Sequence, residues 1–528
     1  VVVKITKWPE RRRNPEGEVV EVLGRFDEPG IDILSIIKKH DLPLNFPGKV
    51  TGQLEQIPEK VHPEDLRGRQ DYRGDRVFTI DGADAKDLDD AVSIQRLSDG
   101  YRLGVHIADV SYYVREKSAL DIEALKRGTS VYLVDRVIPM LPPKISNGIC
   151  SLNPKETRLT LSVVIDFDDD ATVKNYSIAQ GIIESCERTT YDDVTGILDG
   201  DPETIKRYAY LVEDIKAMEE LAQKLTKKRF ARGSMDFNIA EAKVILDDAG
   251  HPIEVKKEER QISHRIIEEF MLIANEVVAE HIYWLKVPSV YRVHEEPDEA
   301  KLFATREFLY NLGYILKATK KMQPKALQQV LEDAKGKPEE RLVNTILLRS
   351  LKQARYSPDN LGHFGLAAKY YTHFTAPIRR YPDLAIHRIL REHLKGELDE
   401  KRQEKLHRRM EKVANISSER ERIAEEAERE SVDLKIAEYM SHRTGETYDG
   451  IISGVTSFGV FVELSNTVEG LVHVSNITDD FYHYDEKNIT LTGERTKRVL
   501  RIGDAVKIKV SKVNVPERMI DFELVDTP

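Results

Sequence analysis

The spacing of apolar residues predicts two kinds of structure in the first three quarters of the chain. In residues 1–60 it predicts a short strand at Val1–Ile5, a second strand in GEVVEVLG and a helix in DILSIIKKHDLP. From about residue 61 to 395, strand-like runs such as RVFTI, YRLGVHIADV and LTLSVVIDF alternate irregularly with long helical stretches. An irregular mixture of this kind is typical of an α+β domain.

The last quarter of the chain changes character twice. Residues 400–443 are rich in charge and contain neither Pro nor Gly, which predicts a long solvated helix or helix pair acting as a connector. Beyond Gly445, short alternating strands broken by Gly and Asn predict a small β-barrel. We therefore divide the chain into residues 1–60, 61–444 and 445–528.

Composition narrows the class of protein. The 528 residues are 40% hydrophobic and 32% charged, which is enough for a large core and about two to four domains. No apolar run approaches the roughly 18 residues of a membrane span, and the first residues do not resemble a secretory signal. We expect a cytoplasmic protein that does not associate with a membrane. Cys150 and Cys186 are too few for a disulfide framework or a cysteine-ligated zinc site, and we expect interior thiols.

The net charge of −11 argues at first against a polyanionic partner, because nucleic-acid binding depends on clustered Lys and Arg. The charge is unevenly distributed, however. Acidic residues concentrate at positions 81–90 and in SSERERIAEEAERE, whereas APIRRY and HRILREH are locally basic. The distribution is therefore compatible with a basic channel in an acidic protein.

The stretch TIDGADAKDLDDAVSI places five aspartates within ten residues, and four of them, Asp81, Asp87, Asp89 and Asp90, have the spacing D-x5-D-x-D-D. Converging carboxylates repel one another unless a cation offsets their charge or one of them takes up a proton. Oxygen ligands suit Mg²⁺, and a pair of such ions is a common device for phosphodiester cleavage. The alternatives are a solvated acidic turn and a structural calcium loop, although the order of an EF-hand loop is absent.

A second group of polar residues lies in YYTHFTAPIRRYPDLAIHRILREH, which places Arg379 and Arg380 beside aromatic residues, ahead of an amphipathic helix. Guanidinium groups bind phosphate with two hydrogen bonds and can neutralise charge that develops in phosphoryl transfer. A surface patch of ion pairs is the alternative interpretation.

Five motifs occur in order along the chain: IDGADAKDLDDAV, GTSVYLVDRVIPMLP, RGSMDFNIAEAK, HRIIEEFMLIANE and HFTAPIRRYPDLAIHR. Together they resemble the catalytic (RNB) domain of the ribonuclease II superfamily, and within it the bacterial ribonuclease R branch. The opening residues resemble the end of that family's second cold-shock OB domain, and the end of the chain resembles an S1-type OB-fold. Most of the N-terminal OB region and the basic tail are missing, so we expect a shortened catalytic form. Ala376 stands where the family usually has Ser.

The resemblance implies an α+β fold in which a large mixed α/β catalytic domain is flanked by OB-fold barrels. It also implies that the four aspartates hold one or two Mg²⁺ ions, and that Arg379 or Arg380 contacts the scissile phosphate. Further RNA-binding residues that it implies in this domain are Tyr132, Tyr191, Phe237, Glu269 and His373. Core packing remains the alternative for Tyr132 and Phe237. On a helical wheel, Glu269 falls about 20° from Ile262, inside an apolar stripe, so it is unlike a solvated surface carboxylate.

In the final domain, Phe458, Phe461 and His473 match the nucleic-acid face of S1-type barrels, and Arg518 matches a further RNA contact. One of the two phenylalanines could instead belong to the barrel core. The implied activity is that of a monomeric, magnesium-dependent, processive 3′-to-5′ exoribonuclease that acts on single-stranded RNA with a free 3′ end. One alternative is a non-catalytic RNA-binding or chaperone protein whose acidic loop binds a structural ion. A DNA exonuclease is the other, because composition does not reveal whether the 2′-hydroxyl is recognised.

Overall fold

The computed structural model describes residues 1–10, 14–25, 28–237, 241–317, 322–337, 339–486 and 488–525. The chain begins with an exposed antiparallel hairpin formed by β1 (Val2–Lys7) and β2 (Glu16–Glu21), followed by α1 (Ile31–Lys39) and α2 (Gly48–Leu54). The predicted order of strand, strand and helix is therefore confirmed.

A seven-stranded sheet forms the centre of the large domain, in the order β11-β4-β5-β6-β9-β10-β3. Neighbouring strands are antiparallel in the middle and parallel at the two edges. The strands of this region are β3 (Gln70–Asp71), β4 (Phe78–Asp81), β5 (Asp90–Leu97), β6 (Gly100–Ala108), the small pair β7 (Val131–Tyr132) and β8 (Val137–Ile138), β9 (Thr157–Phe167), β10 (Val173–Glu184) and β11 (Glu187–Thr190).

Helices cover this sheet and share one core with it, which includes Phe78, Leu103, Ile165, Phe270 and Leu384. The helices of this region are α3 (Val110–Tyr113), α4 (Ala119–Arg127), α5 (Tyr191–Asp199), α6 (Pro202–Arg207), α7 (Val212–Arg232) and α8 (Ile262–Leu285). The result is the mixed α/β domain that the sequence predicts.

Residues 299–350 form a helical module with its own small core, which includes Leu309, Leu327 and Val343. Its helices are α9 (Glu299–Asn311), α10 (Pro324–Ala334) and α11 (Glu340–Ser350). Two short strand pairs lie beside it in sequence: β12 (Glu241–Leu246) with β13 (Pro252–Glu258), and β14 (Tyr291–Val293) with β15 (Arg355–Ser357).

Helix α12 (Tyr381–Leu394) differs from its amphipathic prediction, because every residue from 381 to 391 is buried. The charged side chains on it are tolerated because they are paired. Arg388 bonds Asp121 on α4 at 2.6 Å, and Asp383 receives hydrogen bonds from Arg380 at 2.8 and 3.0 Å. The polar residues of α12 therefore do not form a solvent-exposed face.

The charge-rich connector is a single helix, α13 (Glu400–Ser441). Asp399 caps its N-terminus, because its carboxylate accepts a hydrogen bond from the Arg402 backbone at 2.7 Å. It leads into a closed barrel in the order β16-β17-β18-β23-β22, as predicted. The strands after α13 are β16 (Thr447–Thr456), β17 (Gly459–Leu464), β18 (Glu469–His473), β19 (Tyr482–Asp485), β20 (Thr490–Gly493), β21 (Val499–Arg501), β22 (Ala505–Asn514) and β23 (Met519–Leu524). Among the described helices, none is both long and apolar enough to cross a membrane.

Glu430, a buried residue of α13, joins three parts of the chain. Its carboxylate lies 2.7 Å from Nζ of Lys39, the last residue of α1, and 2.6 Å from Nε2 of His40, which follows it. It also contacts the guanidinium of Arg518 in the barrel. Burial raises the pKa of Glu430, but hydrogen bonds from Lys39, His40 and Arg518 outweigh it and lower the pKa to about 2. Glu430 therefore stabilises the junction as an anion.

Replacing this carboxylate by Glu430→Gln should lower the free energy of unfolding by roughly 2–3 kcal/mol at neutral pH. Because the folded pKa is depressed, the stabilisation is complete above the unfolded value of about 4.3 and is lost as the pH falls through about 2. Chemical unfolding at pH 7 and pH 3 should therefore show a smaller difference between variant and parent at pH 3. Glu426→Gln, an exposed change on the same helix, serves as the control. A difference that does not depend on pH would contradict this role.

Candidate active site and nucleic-acid interface

The four aspartates of the sequence motif lie around one loop of the central sheet. Asp81 is the last residue of β4 and Asp90 the first residue of β5, and these strands pair with each other. Asp87 and Asp89 belong to the loop between them. The antiparallel pairing thus brings both ends of the motif to the same end of these two strands.

The backbone of this loop is fixed from two sides. The Arg188 guanidinium of β11 donates to the carbonyls of Gly82, Ala83 and Ala85 at 3.2, 2.8 and 2.8 Å. On the other side, Ser151 Oγ accepts from the Leu88 backbone at 3.1 Å and donates to the Lys86 carbonyl at 3.0 Å. Both anchors bind backbone atoms and leave the carboxylates free of strong partners.

Asp89 connects the loop to the arginine motif. Its side chain is only 4% exposed, and its Oδ1 accepts a hydrogen bond from the Ile378 backbone at 2.9 Å. Its Oδ2 lies 3.6 Å from Arg379 Nε, too far for a hydrogen bond. The two motifs, which are far apart in sequence, therefore meet in one site.

Burial raises the pKa of three of the four carboxyls. For Asp81 burial acts first and the neighbouring Asp90 raises the pKa further; for Asp89 and Asp90 burial outweighs the opposing effect of Arg379. The Oδ2 atoms of Asp81 and Asp89 are buried without a hydrogen-bond partner. These observations do not fit a solvated acidic turn, in which such oxygens would be hydrated.

An all-oxygen donor set with two unpartnered buried oxygens is chemically suited to a hard divalent cation such as Mg²⁺. In the part of the chain that the structure describes, no three Asp, Glu, His or Cys side chains already converge as a cage for a metal ion. The four aspartates therefore fit the ion by the chemistry of their oxygen atoms and not by a cage that is already formed.

The two adjacent arginines have different surroundings. Arg380 is bound to Asp383 by two hydrogen bonds, and Asp383 also accepts from the Ala376 backbone at 2.8 Å. Arg379 has a side chain that is 49% exposed, and its ion pair with Asp89 is long. Arg380 thus helps to hold the motif in shape, whereas Arg379 is accessible to a ligand.

Tyr132 and Tyr191 both lie beside the aspartates. Tyr132 is 39% exposed, its Oη lies 3.4 Å from Asp87 Oδ2, and its backbone N–H donates to Glu428 of α13 at 2.7 Å. Tyr191 stacks on His264 with ring centroids 3.9 Å apart. Burial, together with Asp90 and Asp81, raises the pKa of Tyr191. An exposed ring at residue 132 does not fit the core-packing alternative for that residue.

Phe237, Glu269 and His373 are more enclosed. Phe237 packs half-buried against the core of the helical module, as its core-packing alternative requires. Glu269 is buried as expected, and its Oε1 receives hydrogen bonds from Arg229 of α7 at 2.6 and 3.0 Å. His373 Nδ1 lies 2.8 Å from Tyr356 Oη, and burial followed by nearby Arg380 keeps its pKa well below the usual value.

In the barrel, Phe458 and Phe461 meet edge to face with centroids 6.1 Å apart, and Phe458 is 46% exposed. His473 lies at the exposed end of β18, opposite Gly459 of β17, and is thus close to this pair. Arg518 instead points its guanidinium at Glu430. The barrel therefore places Phe458 in the turn before β17, Phe461 on β17 and His473 on the neighbouring β18. The fourth candidate, Arg518, contributes to the domain junction.

Two contributors to the site were missed from the sequence. Arg188 fixes the aspartate loop, but a single basic residue in a short strand gives no signal, because its partners are carbonyls and not charged residues. Arg292, which pairs with Glu421 of α13 and lies over the Tyr356 ring, adds a positive charge near His373. It could have been found only from its position after folding.

Family models account for most of the chain. The RNB domain matches residues 69–396, the cold shock domain residues 1–47 and the S1 RNA binding domain residues 441–524. The chain is therefore an RNB-domain protein, in which the catalytic domain lies between a cold shock domain and an S1 RNA binding domain. Its aspartate and arginine motifs meet where β4 ends and β5 begins.

Among the proteins most similar to this chain are ribonucleases R. The chain is 47% identical over 527 residues to Ribonuclease R 1 of Lactococcus lactis, covering 99% of this chain and 64% of the relative. It is 46% identical over 528 residues to Ribonuclease R of Aquifex aeolicus, covering 100% and 75%. The structure matches Mycoplasma genitalium RNase R in complex with ribose methylated single-stranded RNA, with a TM-score of 0.91, 30% identity and coverage of 99% and 82%. The chain belongs to the ribonuclease R family.

The raised carboxyl pKa values give a test that is independent of activity. In EDTA at pH 8, Asp81→Asn should raise the melting temperature by roughly 2 °C, because it removes a charge that is costly to bury. A folded pKa above the unfolded one means that the parent loses stability as the pH rises, so the advantage of the variant should shrink at pH 5. Asp84→Asn, an exposed change in the same loop, should have no effect at either pH. An Asp81→Asn protein that melts below the parent at pH 8 would contradict the electrostatic assignment.

Proposed function

We propose that this chain is a magnesium-dependent, processive 3′-to-5′ exoribonuclease that hydrolyses RNA to nucleoside 5′-monophosphates and takes part in RNA turnover and quality control. Its substrate is single-stranded RNA with a free 3′ end. The proposal rests above all on the aspartate loop, in which the buried Oδ2 atoms of Asp81 and Asp89 have no hydrogen-bond partner. Asp89 Oδ2 also lies 3.6 Å from the accessible Arg379, in a member of the ribonuclease R family.

In this proposal Asp81, Asp87, Asp89 and Asp90 hold one or two Mg²⁺ ions. Bound Mg²⁺ lowers the pKa of coordinated water and offsets the negative charge of the phosphate. Arg379 contacts the scissile phosphate, because its guanidinium is half exposed and only loosely paired. Arg380 is a positioning residue, which acts through Asp383 on the backbone of the same motif.

Aromatic residues hold the 3′ end in place. Tyr132 stacks on a terminal base next to the aspartates, and Tyr191 lies near the reacting phosphate. Phe237, Glu269 and His373 contact the RNA further along the channel, and Phe458, Phe461 and His473 bind the incoming strand on the barrel. Stacking of bases on rings tolerates any sequence, as a general exonuclease requires.

End-labelled RNA and DNA, each incubated with and without Mg²⁺, separate this function from the alternatives. The proposal predicts mononucleotides from RNA only when Mg²⁺ is present. Intact RNA that remains bound would favour a non-catalytic RNA-binding protein, and equal degradation of DNA would favour a DNA exonuclease.

The metal site makes a sharper prediction. Asp89→Asn should lower kcat by about two to three orders of magnitude, since a metal ion stabilises the transition state by several kcal/mol. RNA affinity should hardly change, because the substitution preserves the shape of the residue. Asp84→Asn is the matched control and should retain full activity. Normal hydrolysis by Asp89→Asn would refute the assignment.

We call Tyr132 and Phe237 together the base clamp, and the length of the products tests it. Tyr132→Ala should change the size of the shortest end product and weaken the hold on the last nucleotides by roughly 1–3 kcal/mol per lost stacking contact. Tyr132→Phe keeps the ring and loses only the hydroxyl near Asp87, so its products should match those of the parent. Phe237→Ala should also alter the products, unless the ring serves only the helical core, in which case only the melting temperature falls. An unchanged product ladder for Tyr132→Ala would remove Tyr132 from the clamp.

A further inference from the structure

Strands β19, β20 and β21 form a three-stranded sheet outside the closed barrel, which we call the outer sheet. One of its faces is buried in the barrel core through Tyr482, Leu491 and Leu500. On the other face His483 pairs with Thr492, and Thr492 pairs with Val499. This second face is turned to solvent, since His483 and Val499 are exposed.

Two rings stand at one end of the solvent face. Phe481, just before β19, is 65% exposed, and it meets the His483 ring edge to face with centroids 5.1 Å apart. A single exposed phenylalanine is ordinary on a protein surface, but two adjacent exposed rings offer more than one ring on which a base can stack.

The backbone that carries these rings is tied down by one carboxylate. The Asp480 side chain is only 1% exposed. Its oxygens accept from the backbone of Phe481 at 2.8 Å, of Arg495 at 2.8 Å and of Thr496 at 2.6 Å. Gly493 is required beside it, because a Cβ there would lie 2.7 Å from Asp480 Oδ2. The rings are thus held on a rigid support, which reduces the entropy lost on binding.

The same carboxylate joins the rings to a basic turn. Residues 494–501, with the sequence ERTKRVLR, contain four basic side chains and one acidic one. The Arg495 side chain is 80% exposed, and Lys497 is also exposed. The one acidic residue of this turn, Glu494, lies 3.7 Å from His483 Nε2, and Arg498 pairs with Asp479. Arg495 Nε lies 3.4 Å from Asp480 Oδ1, and Lys497 Nζ donates to the Glu494 carbonyl at 2.7 Å. Both side chains are nevertheless exposed beside the two rings.

We propose that this end of the outer sheet is a second binding surface for single-stranded RNA, distinct from the face that carries Phe458 and Phe461. A base stacks on the ring of Phe481 or of His483, and the adjoining phosphates contact Arg495 and Lys497. The occupant is RNA because exposed rings beside exposed cations match the alternating bases and phosphates of a single strand. This inference rests on the proposed function in that the protein must bind RNA at all.

The test measures the affinity of fluorescently labelled single-stranded RNA for the full chain in an Asp89→Asn background, which prevents degradation. Phe481→Ala should weaken binding of long RNA by about tenfold. Lys497→Ala should reduce the slope of log affinity against log salt by about one, as expected for one lost phosphate contact. Phe481→Tyr should bind like the parent. Trp284→Ala removes a ring on α8 that is 64% exposed, and it serves as the matched control with no expected effect.

The outcomes separate the two proposals. If Phe458→Ala with Phe461→Ala weakens binding but Phe481→Ala and Lys497→Ala do not, the outer sheet is not an RNA surface and the proposed function stands. If the parent does not bind single-stranded RNA, the proposed function itself fails. Equal losses from Phe481→Ala and Trp284→Ala would show a non-specific effect and would also overturn the inference. Unchanged melting temperatures confirm that each exposed substitution leaves the fold intact.

Discussion

The site depends on holding several carboxyl groups close together in a half-buried loop while the Oδ2 atoms of Asp81 and Asp89 are left without hydrogen-bond partners. Burial and mutual repulsion both oppose this arrangement, as the raised pKa values of Asp81, Asp89 and Asp90 indicate. The fold resolves the conflict through the backbone, because Arg188 binds three loop carbonyls and the Ile378 N–H binds a single oxygen of Asp89. The loop is therefore rigid while its remaining carboxylate oxygens stay available to a cation.

Helix α13 is the second element on which the arrangement depends. Glu428 receives the backbone N–H of Tyr132, Glu421 pairs with Arg292, and Glu430 joins α1 to the barrel. At its end, Ile436 and Met440 belong to the barrel core. One helix thus positions the candidate base clamp, the arginine near His373 and the candidate RNA surface of the barrel.

Much of this could be predicted from the sequence. The barrel strands, the long helix and the aspartate loop each leave a local pattern of spacing or charge that folding preserves. The surroundings of Arg379 and Arg380 could not be predicted, because the difference between them comes from Asp383 on a helix whose polar residues suggested a solvent face. Arg188 and the pairing of Glu269 with Arg229 were also hidden, since each depends on contacts between elements that only the folded chain brings together. Local signals therefore pointed to the candidate reacting groups, but not to the groups that hold them.

The continuity of α13 has a consequence for the spacing of the candidate RNA-binding residues. Twelve residues separate Glu428, which accepts the backbone N–H of Tyr132, from Met440 in the barrel core, and an unbroken helix makes that about 18 Å. Because a helix is stiff, it acts as a fixed spacer between the strand of Tyr132 and the barrel. If both candidate sites bind one RNA, a strand that is being shortened should lose its contact with the barrel at a defined length, whatever its sequence.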